Sequence, residues 1–130
     1  MSVNVRVGKF EEVRPLTSAA KRERVTMENP EGAAWFVAEE AGIIIGCVCV
    51  VVKKTGARFK SDFILPAYRK QKIYRDLFMM REAYTLPFQV KQWTAFCTPQ
   101  SLKVYLEHKF EKVSLHRDIW FVKRAFKGGK

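Results

Sequence analysis

The stretch SDFILPAYRKQKIYRDLFMMREAY, residues 61–84, constrains the fold of this chain more than any other. It continues a strand from residue 58 in which Phe59, Ser61, Phe63 and Leu65 alternate and so share one face. Pro66 ends that strand, because proline offers no N–H to a β-ladder. A short basic turn follows, and then Ile73, Leu77, Met80 and Tyr84 recur at the spacing of one helix face. A strand that runs through a tight turn into a helix N-terminus builds an anion site. The first-turn N–H groups lack intrahelical partners, and the helix dipole favours negative charge there. Four of the seven residues from Arg69 to Arg75 are basic, which suits a phosphate group. A solvated basic face at an ordinary helix start is the alternative, but it leaves the position of the basic run unexplained.

The flanking segments supply the rest of a layered domain. Residues 3–7 alternate as a half-buried strand does. Residues 9–28 are charged and punctuated by Pro15, with Thr17 or Ser18 placed to cap a second short helix running toward Met27. Residues 29–32, Asn-Pro-Glu-Gly, make a turn. Residues 34–38 and 43–52 read as strands joined at 39–42, and the second is apolar on both faces, so it is central. Pro87 breaks the helix after Tyr84, and 92–97 forms another strand. Thr98-Pro99 opens a last helix whose inner stripe is Leu102, Tyr105 and Leu106. Strands at 110–113 and 119–126, turning at 116–118, close the chain. The expected architecture is α/β (α+β): one domain over residues 1–126, a mixed central sheet of six to seven strands, about four flanking helices, and a short basic tail at 127–130.

Two segments carry a family resemblance. LPAYRKQKIYRDL resembles the acyl-CoA-binding motif of the GCN5-related N-acetyltransferases (GNAT), with Pro66, Tyr68, Arg69, Ile73 and Leu77 in register. CTPQSLKVYLEHKFEKV resembles the C-terminal motif of the same family through Ser101, Tyr105, Phe110 and Val113. Three usual glycines are replaced, by Lys72, Tyr74 and Lys109, and Thr98 stands where Asn is usual. Lys72 either supplies charge where close backbone contact is lost or blocks the site.

The resemblance implies a GNAT-like fold over residues 2–126 and an N-acyltransferase that uses acetyl-CoA or a related acyl-CoA. Main-chain groups of Phe63, Ile64 and Leu65 would lie beside the pantetheine and the acyl carbonyl. Arg69, Lys70, Gln71, Lys72, Ile73 and Tyr74 would surround the pyrophosphate, with Thr98 and Ser101 also at the cofactor. Tyr105 would give a proton to the CoA sulfur, although a tyrosine on an inner helix face is by position alone a core residue with a satisfied hydroxyl. Asp62 is the best acid on the central strand. It is either a base, directly or through water, or the partner of Arg58, Lys60 or Arg69. Attack on a thioester needs a neutral amine, so a base is required, and no Glu occupies that strand to supply it.

Composition narrows the partners. Lys and Arg number 24 against 13 Asp and Glu, a formal charge of +11, so a polyanion is expected: CoA phosphates, nucleic acid or an acidic protein. An apolar fraction of 48% excludes a disordered basic tail. Three cysteines form no disulfide framework and point to a reducing compartment. The run 41–52 falls short of the roughly 20 residues that span a bilayer, and no signal pattern precedes it, so a soluble cytoplasmic protein is expected. Cys47 and Cys49 share a strand face, but no Cys/His cluster completes a zinc site, and no metal is expected. Cys97 lies near the proposed acyl site with only His108 and His116 as conceivable partners. Trp35, Trp93 and Trp120 sit in strand patterns and read as core.

Three functions stay open at this stage. The first is transfer of an acetyl group to an amine of an acidic or nucleic-acid-linked acceptor. The second is DNA-base modification of the phage type found in the family. The third is an inactive GNAT-like basic module that binds nucleic acid or protein. Homodimers are common in the family.

Overall fold

The computed structural model describes residues 2–69 and 71–126. Seven strands, β1 (Asn4–Gly8), β2 (Ala33–Glu40), β3 (Ile43–Val52), β4 (Ala57–Ile64), β5 (Gln92–Cys97), β6 (Glu111–His116) and β7 (Ile119–Ala125), form one sheet. Their order is β1-β2-β3-β4-β5-β7-β6. Every pairing is antiparallel except β4 with β5. That one parallel pair follows from the connection, because parallel neighbours need a crossover and the chain supplies a helix between them. The crossover is α3 (Ile73–Thr85), and α4 (Pro99–Glu107) packs on the same face of the sheet. The apolar reading of β3 is correct, since it lies third in the sheet and is buried along seven consecutive residues.

The opposite face is covered by α1 (Phe10–Val13) and α2 (Thr17–Arg22). A 3-10 turn at Arg14–Leu16 joins them, with Pro15 in its first turn where no N–H is needed. The two short helices therefore form one helical body, and three such bodies flank the sheet rather than four separate helices. Thr17 is not a cap but continues the helical path, with Leu16 ahead of it in helical geometry. The segment ends at Arg22, short of Met27.

Two cores result. Phe36, Val48, Phe59, Leu77, Phe78, Trp93, Tyr105 and Phe110 fill the face under α3 and α4. Val13, Leu16, Ala20, Trp35, Val37, Cys47, Cys49 and Phe63 fill the other. Phe59 and Phe63 thus lie on opposite faces, against the alternation expected for this strand. The cause is a bulge. Cys49 pairs with Lys60 and Cys47 with Phe63, so Ser61 and Asp62 together face Val48, and Ser61 takes φ 61°. One extra residue reverses the facing of everything after it. The stripe of α3 is also shifted: Ile73, Leu77, Phe78, Arg81 and Thr85 are buried, whereas Tyr84 is 40% exposed.

α4 ends in a Schellman closure. The N–H of Lys109 donates to the Leu106 carbonyl and that of Phe110 to the Tyr105 carbonyl, with Lys109 at φ 71°. The closure brings the Phe110 ring edge-on to Tyr105 at 4.9 Å between centroids. A glycine fits such a position without strain, while an L side chain costs about 1–2 kcal/mol. Lys109→Gly is therefore expected to stabilise the protein by about 1 kcal/mol, raising the thermal midpoint by roughly 3–6 °C in calorimetry.

Candidate active site

The bulge on β4 opens the sheet. β4 and β5 pair only at Ala57–Trp93, Arg58–Thr94 and Phe59–Ala95. Beyond Phe59 the strands part, and a cleft occupies the gap. Its first part, about 100 Å³, lies beside the start of α3 and is lined by Phe63, Ile64, Arg69, Tyr74, Gln100 and neighbouring groups. Its second part, about 160 Å³, lies toward Arg58, Lys60, Phe96 and Tyr105. Val25, Asp62, Thr98 and Ser101 line both. Gly46, paired with Ile64, lets the strands close at the cleft floor: a Cβ there would meet Ile64 Cδ1 at 2.5 Å.

Asp62 stands between the two parts, and its partner is Arg81, not Arg58, Lys60 or Arg69. Arg81 Nη1 donates to Asp62 Oδ1 at 2.6 Å and Nη2 to Oδ2 at 2.8 Å. The side chains are 0% and 6% exposed, so this is a buried bidentate pair. Nη1 also donates to the Cys49 carbonyl at 3.1 Å. The guanidinium lies over Phe59 at 4.3 Å and Phe78 at 4.6 Å from the ring centroids. Burial alone would lower the Arg81 pKa, but the Asp62 carboxylate outweighs it and the net direction is upward, so the cation persists.

Two tyrosines complete the network. The hydroxyls of Tyr74 and Tyr105 both donate to Asp62 Oδ2, the second at 2.8 Å. Burial raises both hydroxyl pKa values, and the Asp62 charge raises them further while Arg81 pulls the other way. Both therefore keep their protons at neutral pH. Asp62 Oδ2 accepts three hydrogen bonds and Oδ1 a fourth, so the carboxylate is fully engaged within the network.

The sequence-identified residues separate into groups. Asp62, Phe63, Ile64, Arg69, Tyr74, Thr98 and Ser101 line the first part of the cleft, and Tyr105 the second. Leu65 packs between the two cores. Gln71 and Lys72 are exposed on the turn, and Lys70 lies outside the described residues. The Ile73 side chain is in the core, so only its backbone N–H can face a ligand. The basic turn is less free than its composition suggests. Arg69 donates to the Ile64 carbonyl at 2.8 Å and pairs with Glu23, and Arg75 pairs with Glu107.

Arg81 was missed, although its signal was present. It continues the spacing of Ile73 and Leu77, and an arginine on an apolar stripe is rarely buried without a paired acid. Glu23, Val25 and Gln100 also line the cleft, and nothing in the sequence pattern marked them.

Cys97 borders the second part of the cleft, but burial pushes its thiol up to about 12, with the Asp62 charge acting in the same direction. His108 is engaged with Glu82 at 2.7 Å, and His116 is exposed on β6. Cys97 thus has no base and little thiolate, which is the nucleophilic form.

No protein-family profile and no curated protein sequence matches the chain. Solved structures do. An acetyltransferase from Streptococcus agalactiae superposes with a TM-score of 0.76 at 11% identity, covering 95% of this chain and 98% of that one. The PaiA N-acetyltransferase of Thermoplasma acidophilum, solved with coenzyme A, gives 0.76 at 12% identity over 97% and 100%. N-acetylglutamate synthase from Neisseria gonorrhoeae, complexed with coenzyme A and N-acetyl-glutamate, gives 0.74 at 11% identity over 98% of this chain and 36% of that one. The fold is that of the GCN5-related N-acetyltransferases. Among the described residues, no helix is long and apolar enough to cross a membrane.

The buried pair makes a stability prediction. Asp62→Asn leaves a buried guanidinium without its counter-charge and is expected to cost about 3–5 kcal/mol in denaturant unfolding. The double variant Asp62→Leu/Arg81→Met should recover part of that loss, because neither charge then remains unpaired while the Tyr74 and Tyr105 hydroxyls lose their acceptor. The thiols make a pH prediction. Burial pushes Cys49 and Cys97 up to about 12. A folded-state value above the unfolded one gives stability that is present below roughly pH 8.5 and lost as pH rises toward 12. The unfolding free energy should therefore fall between pH 8 and pH 10.5, by about 2 kcal/mol for each fully shielded thiol, read from denaturant unfolding at the two pH values.

Proposed function

We propose that this protein is an acyl-CoA-dependent N-acyltransferase, with acetyl the first acyl group to test and an amine as acceptor. The observation that supports it most is the pair of adjoining cavities where β4 and β5 part. One reaches Tyr74 at the start of α3 and the other reaches Tyr105, and Val25, Asp62, Thr98 and Ser101 line both, so an anionic carrier and an acceptor would meet near Asp62. The likeness in fold to two structures holding coenzyme A supports the same reading.

The residues present fit acyl-CoA despite the missing glycines. Lys72 has φ −75°, a conformation open to any residue, and its side chain is exposed rather than folded into the cleft. Tyr74 turns inward to Asp62, so its ring leaves the outer face of the helix start clear. Lys109 lies at the end of α4, where its cost is local strain. The inactive-module reading started from these three positions and the basic surface, and the placement of the three side chains favours the acyl-CoA reading over it.

Acyl-CoA supplies the activated thioester. The first-turn N–H groups of α3, with Lys72 near them, would hold its phosphates. The chain of Phe63 and Ile64 would line the pantetheine. There an acceptor amine would attack the thioester carbonyl carbon, forming the C–N bond as the C–S bond breaks. Tyr105, its hydroxyl turning from Asp62 Oδ2, would give its proton to the departing sulfur, and the proton released by the attacking nitrogen would restore that hydroxyl. Asp62, fixed by Arg81, orients the tyrosine. Its role is positioning rather than base catalysis.

Calorimetric titration of acetyl-CoA, with pyrophosphate and desulfo-CoA as controls, tests the reading. One-site binding clearly tighter than pyrophosphate is expected, and heat no different from pyrophosphate overturns it. Tyr105→Phe is expected to lower turnover by about 10²–10⁴-fold while acetyl-CoA binding changes little.

A further inference from the structure

The second part of the cleft has a charge pattern of its own. Arg24, Arg58 and Lys60 line it, against the carboxylates of Glu28 and the already paired Asp62. None of the three cations forms an ion pair among the described residues. Lys60 reaches only the Glu28 carbonyl, at 3.5 Å, and burial pulls its pKa down. Such a cation gains from a bound anion, because charge lost to desolvation is restored by an opposite charge. Beside them Phe96 is 60% exposed and packs against the tilted Phe121 ring at 4.9 Å, giving an apolar wall with Arg58 near its face.

Arg24 has an unusual placement. The α2 helix ends in a Schellman closure, with Arg24 N–H donating to the Lys21 carbonyl and Val25 N–H to that of Ala20. This holds Arg24 at φ 63°, a position where glycine costs less. Its guanidinium then crosses to the β6–β7 turn and donates to the Arg117 carbonyl. Two segments 93 residues apart are thereby tied together beside the second part of the cleft. That part, about 160 Å³, has room for a small molecule and not for a nucleic-acid duplex.

We infer that this compartment, between Arg24, Arg58, Lys60 and Phe96, selects a small acceptor that carries a carboxylate or phosphate close to its amine. The inference rests on the acyltransferase reading above and names its substrate class. A simple amine is an ammonium ion at neutral pH, with a pKa near ~10, and the surplus positive charge repels it. An anionic group on the same molecule reverses that repulsion and docks on Arg58 and Lys60.

The test uses the full chain loaded with CoA, with acetyl-CoA binding measured first and separately. Aspartate, phosphoethanolamine, putrescine and an acidic lysine-containing peptide are then titrated by calorimetry and assayed for thiol release from acetyl-CoA. Binding or turnover of aspartate or phosphoethanolamine, with putrescine inert, is expected, and the preferred member tells a carboxylate subsite from a phosphate subsite. Arg58→Gln and Lys60→Gln should each weaken that binding by about tenfold, the worth of one charge-assisted hydrogen bond, and leave acetyl-CoA affinity unchanged. Preference for putrescine or for the peptide, or no binding by either small anionic amine at millimolar concentration, overturns the inference while acyl-CoA binding stands. Loss of acyl-CoA binding itself removes the acyltransferase reading, and this inference with it.

Discussion

The buried pair of Asp62 and Arg81 is the interaction on which the architecture of the cleft depends. A charge placed in a core demands an opposite charge in good geometry, and here the demand is met from two elements. Arg81 comes from the inner face of α3, and Asp62 is turned toward it by the bulge on β4. The pair fixes the depth at which α3 rests on the sheet. It also sets the position of both tyrosine hydroxyls, since each donates to the same carboxylate oxygen. Anchoring and orientation are thus one event, and the cleft takes its shape from an ion pair that touches its wall.

Around that pair the aromatic residues act as a lock between the two halves of the sheet. Phe59 of β4 stacks on Trp93 of β5 at 5.1 Å and meets Phe78 of α3 and Phe110 beyond α4. Phe78 in turn meets Tyr105 edge-on at 4.8 Å. These contacts lie at the base of the split, where the parallel pairing still holds. The strands separate immediately above, so apolar burial and cleft opening are adjacent without competing.

Much of this was legible in the sequence, and the reasons differ by element. β3 and β5 were read to the residue, because a long apolar run and a run bounded by turn residues at each end leave little choice. The family motifs fell on some of the residues that line the cleft, Phe63, Ile64, Arg69, Tyr74, Ser101 and Tyr105 among them, but not on Gln100. What escaped was set by single backbone events. A bulge leaves no mark in a pattern of alternating residues, so the faces after Ser61 were inverted and the partner of Asp62 was misassigned. The N-terminal helix was displaced because Pro15 reads as a break, whereas a 3-10 turn absorbs it. Residues brought to the cleft by the α2–β2 connection, Arg24 and Val25 among them, depend on tertiary contacts with no local signature.

The narrow joint between β4 and β5 has a consequence for how such a chain can diverge. Three residue pairs and the aromatic lock beneath them carry the union of the two half-sheets. Exposed residues along the split, such as Phe96 and Gln100, contribute less to holding it together than the Asp62–Arg81 pair and the aromatic lock, and can change character without loosening the frame. A protein built this way separates the vocabulary of its binding surface from the grammar of its fold. Lysine at a glycine position, or arginine tied to a neighbouring turn, is then a local rewriting. The frame stays recognisable in three dimensions at identities of 11–13%, where the sequence declares it through little more than two altered motifs.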